Sequence, residues 1–87
     1  MHSVDLIKQK LKEIFLEAIG FDPFKSDDYF KCIYFRFALD ELDIIELILR
    51  IEKQFNIEIS LAKHEDEKIM LMNIDQLVNF IASKLDV

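Results

Sequence analysis

The chain has 87 residues, 52% of them hydrophobic, and contains one glycine, one proline and one cysteine. That length supports one modest core and one domain over residues 1–87, and a lone cysteine excludes an intramolecular disulfide. Seventeen acidic against eleven basic residues give a formal net charge of -6, a surface that repels phosphate backbones and argues against nucleic-acid binding.

Both backbone breakers, Gly20 and Pro23, fall within residues 20–23. The rest of the chain is therefore expected to be helical rather than rich in tight turns. No apolar run approaches about 18 residues, so no membrane span is expected. The stretch MHSVDLIKQK lacks the uninterrupted apolar region of a secretory signal, and together with a free thiol this points to the cytoplasm. No Cys/His cluster has structural-zinc spacing.

Residues 3–19 predict an amphipathic helix, with Val4, Ile7, Leu11, Ile14, Phe15 and Ala18 at three- and four-residue spacing. Ser3 is the expected N-cap, Asp5 suits the positive end of the dipole, and Gly20 fits the position just past the C-cap. Residues 21–39 form a long connection that holds seven of the ten aromatic residues. Its CIYFRF run alternates like a strand, but a lone strand has no partner. The segment is read as a loop clamped over the helices, with room for one helical turn.

Residues 40–55 predict the second helix, with Asp40 as N-cap and Asp43 in capping-box position. Residues 61–70 predict a short third helix. A last one runs from Asn73, with Gln76 as its box partner, to about Leu85, and buries Ile74, Leu77, Val78, Ile81 and Leu85.

The second helix carries two apolar sets. Ile44, Leu47, Ile48, Ile51 and Phe55 share one side at about 100° per residue and make a sufficient core stripe. Leu42, Ile45 and Leu49 lie a third of a turn or more away, bordered by Glu41 and Glu52 on one edge and by Glu46 and Lys53 on the other. Either another element of the domain covers this second set, or it is an acid-rimmed apolar strip that docks a basic partner.

The segment LDELDIIELILRIEKQFNIEIS resembles the second-helix signature of acyl carrier proteins and their peptidyl and D-alanyl relatives. In that family Asp-Ser-Leu opens the helix, an acid follows, and then come Val/Ile-Glu-Leu and Glu-x-x-Phe with a closing Glu-Ile-Pro. Here the matching residues are Asp40, Leu42, Asp43, Ile45-Glu46-Leu47, Glu52, Phe55 and Glu58-Ile59. The stretch MNIDQLVNFI is similar to the family's closing helix. The resemblance implies an all-α, acyl-carrier-like four-helix bundle with a long first connection and a short third helix.

The family's chemistry rests on the serine of Asp-Ser-Leu, onto which a transferase moves phosphopantetheine from coenzyme A. The matching residue here is Glu41. A carboxylate forms no stable phosphodiester, and its attack on the pyrophosphate would give a labile mixed anhydride. The serines are Ser3, Ser26, Ser60 and Ser83, none near the start of the second helix, and threonine is absent. No cofactor is therefore expected, and phosphopantetheine only if the chain is a functional carrier after all. Further departures are Ala38 for the family glycine, Phe35 and Arg36 for acids upstream, Arg50 and Lys53 within the acidic face, and Ser60 for proline.

Two readings of Glu41 stand side by side. It is either a solvated first-turn acid, or a negative charge standing where a modified carrier has its phosphodiester. For the whole protein, one reading is a carrier-shaped, monomeric binding protein without the arm. It would dock on carrier-utilising enzymes or a dedicated partner with a basic surface through Asp40, Leu42, Asp43, Ile45, Glu46, Leu49 and Glu52. The other is a functional acyl or aminoacyl carrier in fatty acid, lipid or secondary-metabolite synthesis, in which Glu41 is atypical or engineered. Catalysis is not expected. His64–Glu67 reads as a solvated charge run, and Cys32 as a small hydrophobe. In the family acyl chains enter between the helices. The aromatic loop predicts a smaller cavity if its rings fill that space, and otherwise simply supplements the core.

Overall fold

A computed structural model of the chain describes residues 4–25 and 28–85. The described residues form five helices and no strand: α1 Val4–Ile19, α2 Ile33–Arg36, α3 Glu41–Phe55, α4 Glu65–Met70 and α5 Ile74–Leu85. The second predicted helix is thus α3, because α2 is a single turn within the long connection.

α1 buries Ile7, Leu11, Ile14 and Phe15, as its periodicity predicts, while Val4 is exposed at its first turn. Its expected N-cap, Ser3, lies outside the described residues. Gly20 stops the helix at φ +79°, donating to the carbonyls of Phe15 and Leu16 at 3.0 and 3.1 Å. A left-handed residue just past the last turn closes orphan carbonyls at little cost when it is glycine. Asp22 then accepts from the Phe24 amide at 2.9 Å and faces Lys12 at 3.8 Å, which ties the turn back to α1.

The connection resolves the strand-or-turn ambiguity in favour of a turn. Ile33 is fully buried at the start of α2, and its amide donates to the Met72 carbonyl at 2.9 Å. One backbone hydrogen bond thus docks the connection onto the joint between α4 and α5. The aromatic residues divide. Phe24, Tyr34 and Phe37 pack on the core, whereas Phe21, Phe30 and Phe35 are exposed. Phe37 meets Phe15 edge-on at 5.7 Å and carries the Arg36 guanidinium 4.7 Å above its ring. The idea that all the rings fill the interior is therefore corrected. Three pack inward, and Phe21, Tyr29, Phe30 and Phe35 lie at the surface.

α3 begins with the predicted reciprocal box. The Asp43 amide donates to Asp40 Oδ1 at 2.9 Å, and the Asp40 amide to Asp43 Oδ2 at 3.1 Å. It ends at Asn56 in the left-handed conformation, which asparagine tolerates. The third predicted helix starts late. Residues 61–64 are turns, His64 is left-handed at φ 57°, and α4 covers only Glu65–Met70. The Asn73–Gln76 box is present at 2.9 and 2.8 Å, and α5 buries Ile74, Leu77, Val78 and Ile81. Leu85 packs partly buried against the same core.

α1 packs against α3 and α5, and α4 against α3. Among the described residues the core contains seventeen buried hydrophobic side chains and no buried polar or charged one. Burial of aliphatic side chains at roughly 1.5–3 kcal/mol each is the main force holding so small a chain. α3 lies between α1 and α4, and its outer face remains open.

Candidate functional site

The inner stripe of α3 is consumed by packing: Ile44, Leu47, Ile48, Ile51 and Phe55 are buried. Its second apolar set is left uncovered, with Leu42, Ile45 and Leu49 at 75%, 52% and 60% exposure. Neither α4 nor the aromatic connection reaches over them. Three aliphatic side chains spaced along one helix face make a contiguous apolar strip of the kind that marks contact surfaces.

The acids around this strip are not equivalent. Asp40 and Asp43 cap each other's backbone, so they hold the helix start in place. Glu46 Oε1 accepts from Arg50 Nε at 3.3 Å and Nη2 at 3.0 Å, while Arg50 Nη1 donates to Glu17 on α1 at 2.9 Å. Glu52 Oε2 accepts from the Ile59 amide at 3.0 Å and anchors the chain leaving α3. The Asp40–Asp43 box is legible in the sequence, and Arg50 stands four residues from Glu46, whereas the Arg50 bond to Glu17 and the Glu52 bond to the Ile59 amide depend on the fold.

Glu41 occupies the first turn of α3 and is exposed. Together with Ile44 and Ile45 it lines an open cleft of about 510 Å³ whose other wall is Asp66, Glu67, Met70 and Leu71 of α4 and its end. Sequence reading missed this wall, because the α4 residues are some 25 positions away and only the fold sets them opposite Glu41. No residue of the aromatic connection lines this cleft.

The charge run at residues 64–67 also resolves into separate roles. His64 and Glu67 are exposed and 3.5 Å apart, an ion pair only when the imidazole is protonated. Glu65 is largely enclosed. Its Oε1 accepts from Lys84 Nζ at 2.8 Å and from the Ser60 amide at 2.7 Å. These two bonds, the lysine first, hold its carboxyl below the ordinary value of 4.5. Lys84 belongs to α5, so this carboxylate joins the 60–64 turn, α4 and α5.

Does the start of α3 suit a phosphopantetheine attachment? Glu41, which the resemblance matches to the attachment position, offers a carboxylate, not a hydroxyl. The serines among the described residues are Ser60 and Ser83. Ser60 lies past the C-terminal end of α3, and its Oγ already accepts from the Lys63 amide. Cys32 is half-buried at the N-cap of α2 and makes no side-chain capping bond. The group and these residues do not fit one another. Among the described residues no cluster of three His, Cys, Asp or Glu side chains has metal-site geometry, and no helix is long and apolar enough to cross a membrane.

Over 78 residues the chain is 27% identical to an acyl carrier protein of Solidesulfovibrio magneticus, a similarity that covers 90% of this chain and 94% of that protein. No family model matches the chain, and no solved structure matches it. Helix content and near full-length similarity together make this an acyl-carrier-like small helical protein, similar to a carrier rather than to a catalyst.

Proposed function

We propose that this protein is a carrier-shaped docking module that works without a phosphopantetheine arm. It binds carrier-utilising enzymes, or one dedicated partner, through the outer face of α3. The observation that carries this reading is the uncovered strip Leu42, Ile45 and Leu49 on the helix that resembles the carriers' own recognition helix. Glu41 at the attachment position supports the absence of the arm, since a carboxylate ester of the phosphate would be an anhydride open to hydrolysis.

The surface charge supports the kind of partner. A net charge of -6 on 87 residues favours encounter with basic surfaces and speeds their association at low salt. The apolar strip would then supply the contact area that holds the complex. The reading as a functional carrier draws support from the name of the similar protein. It requires an acceptor that neither Glu41 nor a nearby hydroxyl provides.

A competition assay tests the docking. A carrier-utilising enzyme is run on its modified carrier while this protein is added. Inhibition is expected, and it should weaken about tenfold in Leu42→Ala/Leu49→Ala, given contact residues worth about 1 kcal/mol or less each. No inhibition across a panel of such enzymes would contradict docking on that class. Glu41→Ala should also weaken the competition if its charge stands in for the phosphodiester. Unchanged inhibition would leave Glu41 as a dipole-stabilised surface acid and nothing more.

A further inference from the structure

The two flanks of the α3 strip differ in available charge. On the α1 side, Glu46 and Glu17 share the Arg50 guanidinium through bonds of 2.9–3.3 Å, so two carboxylates and one cation leave a single net negative charge. Glu52 gives one oxygen to the Ile59 amide. On the α4 side, Glu41, Asp66 and Glu67 surround the cleft and no cationic side chain lines it. His64 is the one titratable neighbour paired with them, at 3.5 Å from Glu67. The cleft walls between these acids are aliphatic: Ile44 and Ile45 on α3, Met70 and Leu71 on the α4 side.

Resting on the docking reading above, we propose that the mouth between α3 and α4 is the charged determinant of binding, and that Glu46, held by Arg50, is silent in it. The occupant is a basic segment of a partner protein. It inserts one aliphatic side chain between Ile45 and Met70, and lysines or arginines beside that side chain pair with Glu41, Asp66 and Glu67. Charge complementarity selects this occupant. A fatty acid would bring its carboxylate to a carboxylate rim, and a second copy of this chain would bring the same acids and a net charge of -6. Recruiting Glu46 would require a partner to displace the Arg50 fork, whereas the mouth acids are free of lysine and arginine in the cleft. Arg50 is in this sense a specificity residue. It directs basic partners around α3 towards α4.

The test is a titration of the isotope-labelled full chain, followed by amide shifts, with three short probe peptides. The first has one leucine between pairs of lysines, the second replaces the lysines by glutamates, and the third replaces the leucine by alanine. The lysine–leucine peptide should shift the amides of Ile44, Ile45, Met70 and Leu71, and the other two should bind at least several-fold more weakly. Its affinity should fall about tenfold, about 1.4 kcal/mol, in Glu41→Gln/Asp66→Asn/Glu67→Gln and stay within about twofold in Glu46→Gln. A loss in Glu46→Gln with none in the mouth variant would overturn the proposal while leaving docking on α3 intact. Equal binding of the alanine peptide would overturn the insertion into the cleft. Binding of the lysine peptide at neither flank would overturn the proposal together with the basic-partner reading itself.

Discussion

At the scale of single residues, Ala38 bears the clearest local conflict between sequence and backbone. It is left-handed at φ 51°, three residues before the start of α3, where the carrier family resembled here has glycine. An L-side chain in that conformation costs about 1–2 kcal/mol, and glycine gives back roughly 0.5–1 kcal/mol through its freer unfolded state. Ala38→Gly should therefore stabilise the protein by about 0.5–1 kcal/mol, a rise of roughly 2–8 °C in Tm by calorimetry; a fall would contradict the assigned backbone. Glu65 gives a pH prediction. Lys84 and the Ser60 amide lower its pKa in the folded protein, so the stability it contributes is fully present above the ordinary value of 4.5. That contribution is lost as pH falls through the lowered folded value. In Glu65→Gln the Tm at neutral pH should drop and the decline below about pH 4.5 should flatten, measured by thermal melts across pH. An unchanged acid slope would exclude Glu65 as a source of acid lability. Neither residue announces its role in the sequence. Ala38 gives no local sign of a positive φ, and the lysine beside Glu65 is 19 positions away.

At the scale of elements, α3 shows what periodicity can and cannot reveal. Its boundaries were legible because Asp40, Asp43 and Asn56 are terminal residues with their own hydrogen-bonding chemistry. Its inner face was legible because five apolar residues share one side. The fate of Leu42, Ile45 and Leu49 was not legible, since only the fold decides whether another element covers them. Stability should separate the two faces. Ile51→Ala, at a fully buried position, should cost about 2–5 kcal/mol in denaturant melts. Leu49→Ala should stay within about 0.5 kcal/mol of the parent. A large loss at Leu49 would show that the strip is packed and would remove it as a docking face. The shorter elements were harder to read. CIYFRF alternates as a strand would, yet it forms one helical turn because Ile33 is drawn into the core and its amide to Met72. The start of α4 was obscured by His64, whose left-handed backbone interrupts a stretch with ordinary helix formers.

At the scale of the whole molecule, the fold and the chemistry separate. With one cysteine and, among the described residues, no buried charge, the chain is held by one apolar core built mainly from the inner stripes of α1, α3 and α5, with Ile33, Leu39, Ile59 and Ile69 added from the shorter segments. The exposed side chains of α3 that make no internal bond are thereby free to change without endangering the fold, whereas Asp40 and Asp43 hold the helix start. Glu41 is an exposed first-turn position of this kind: it offers no nucleophilic hydroxyl, places an acid where the helix dipole favours one, and takes no part in the core. The central claim is that this scaffold keeps a carrier's shape without its arm. The most direct measurement is intact mass after incubation with coenzyme A and a broad-specificity phosphopantetheinyl transferase, with Glu41→Ser run beside the unaltered protein. The unaltered chain is expected to gain no mass, and the serine variant to gain one arm. Gain of the arm by the unaltered chain would contradict the claim, and peptide mapping would then name the acceptor.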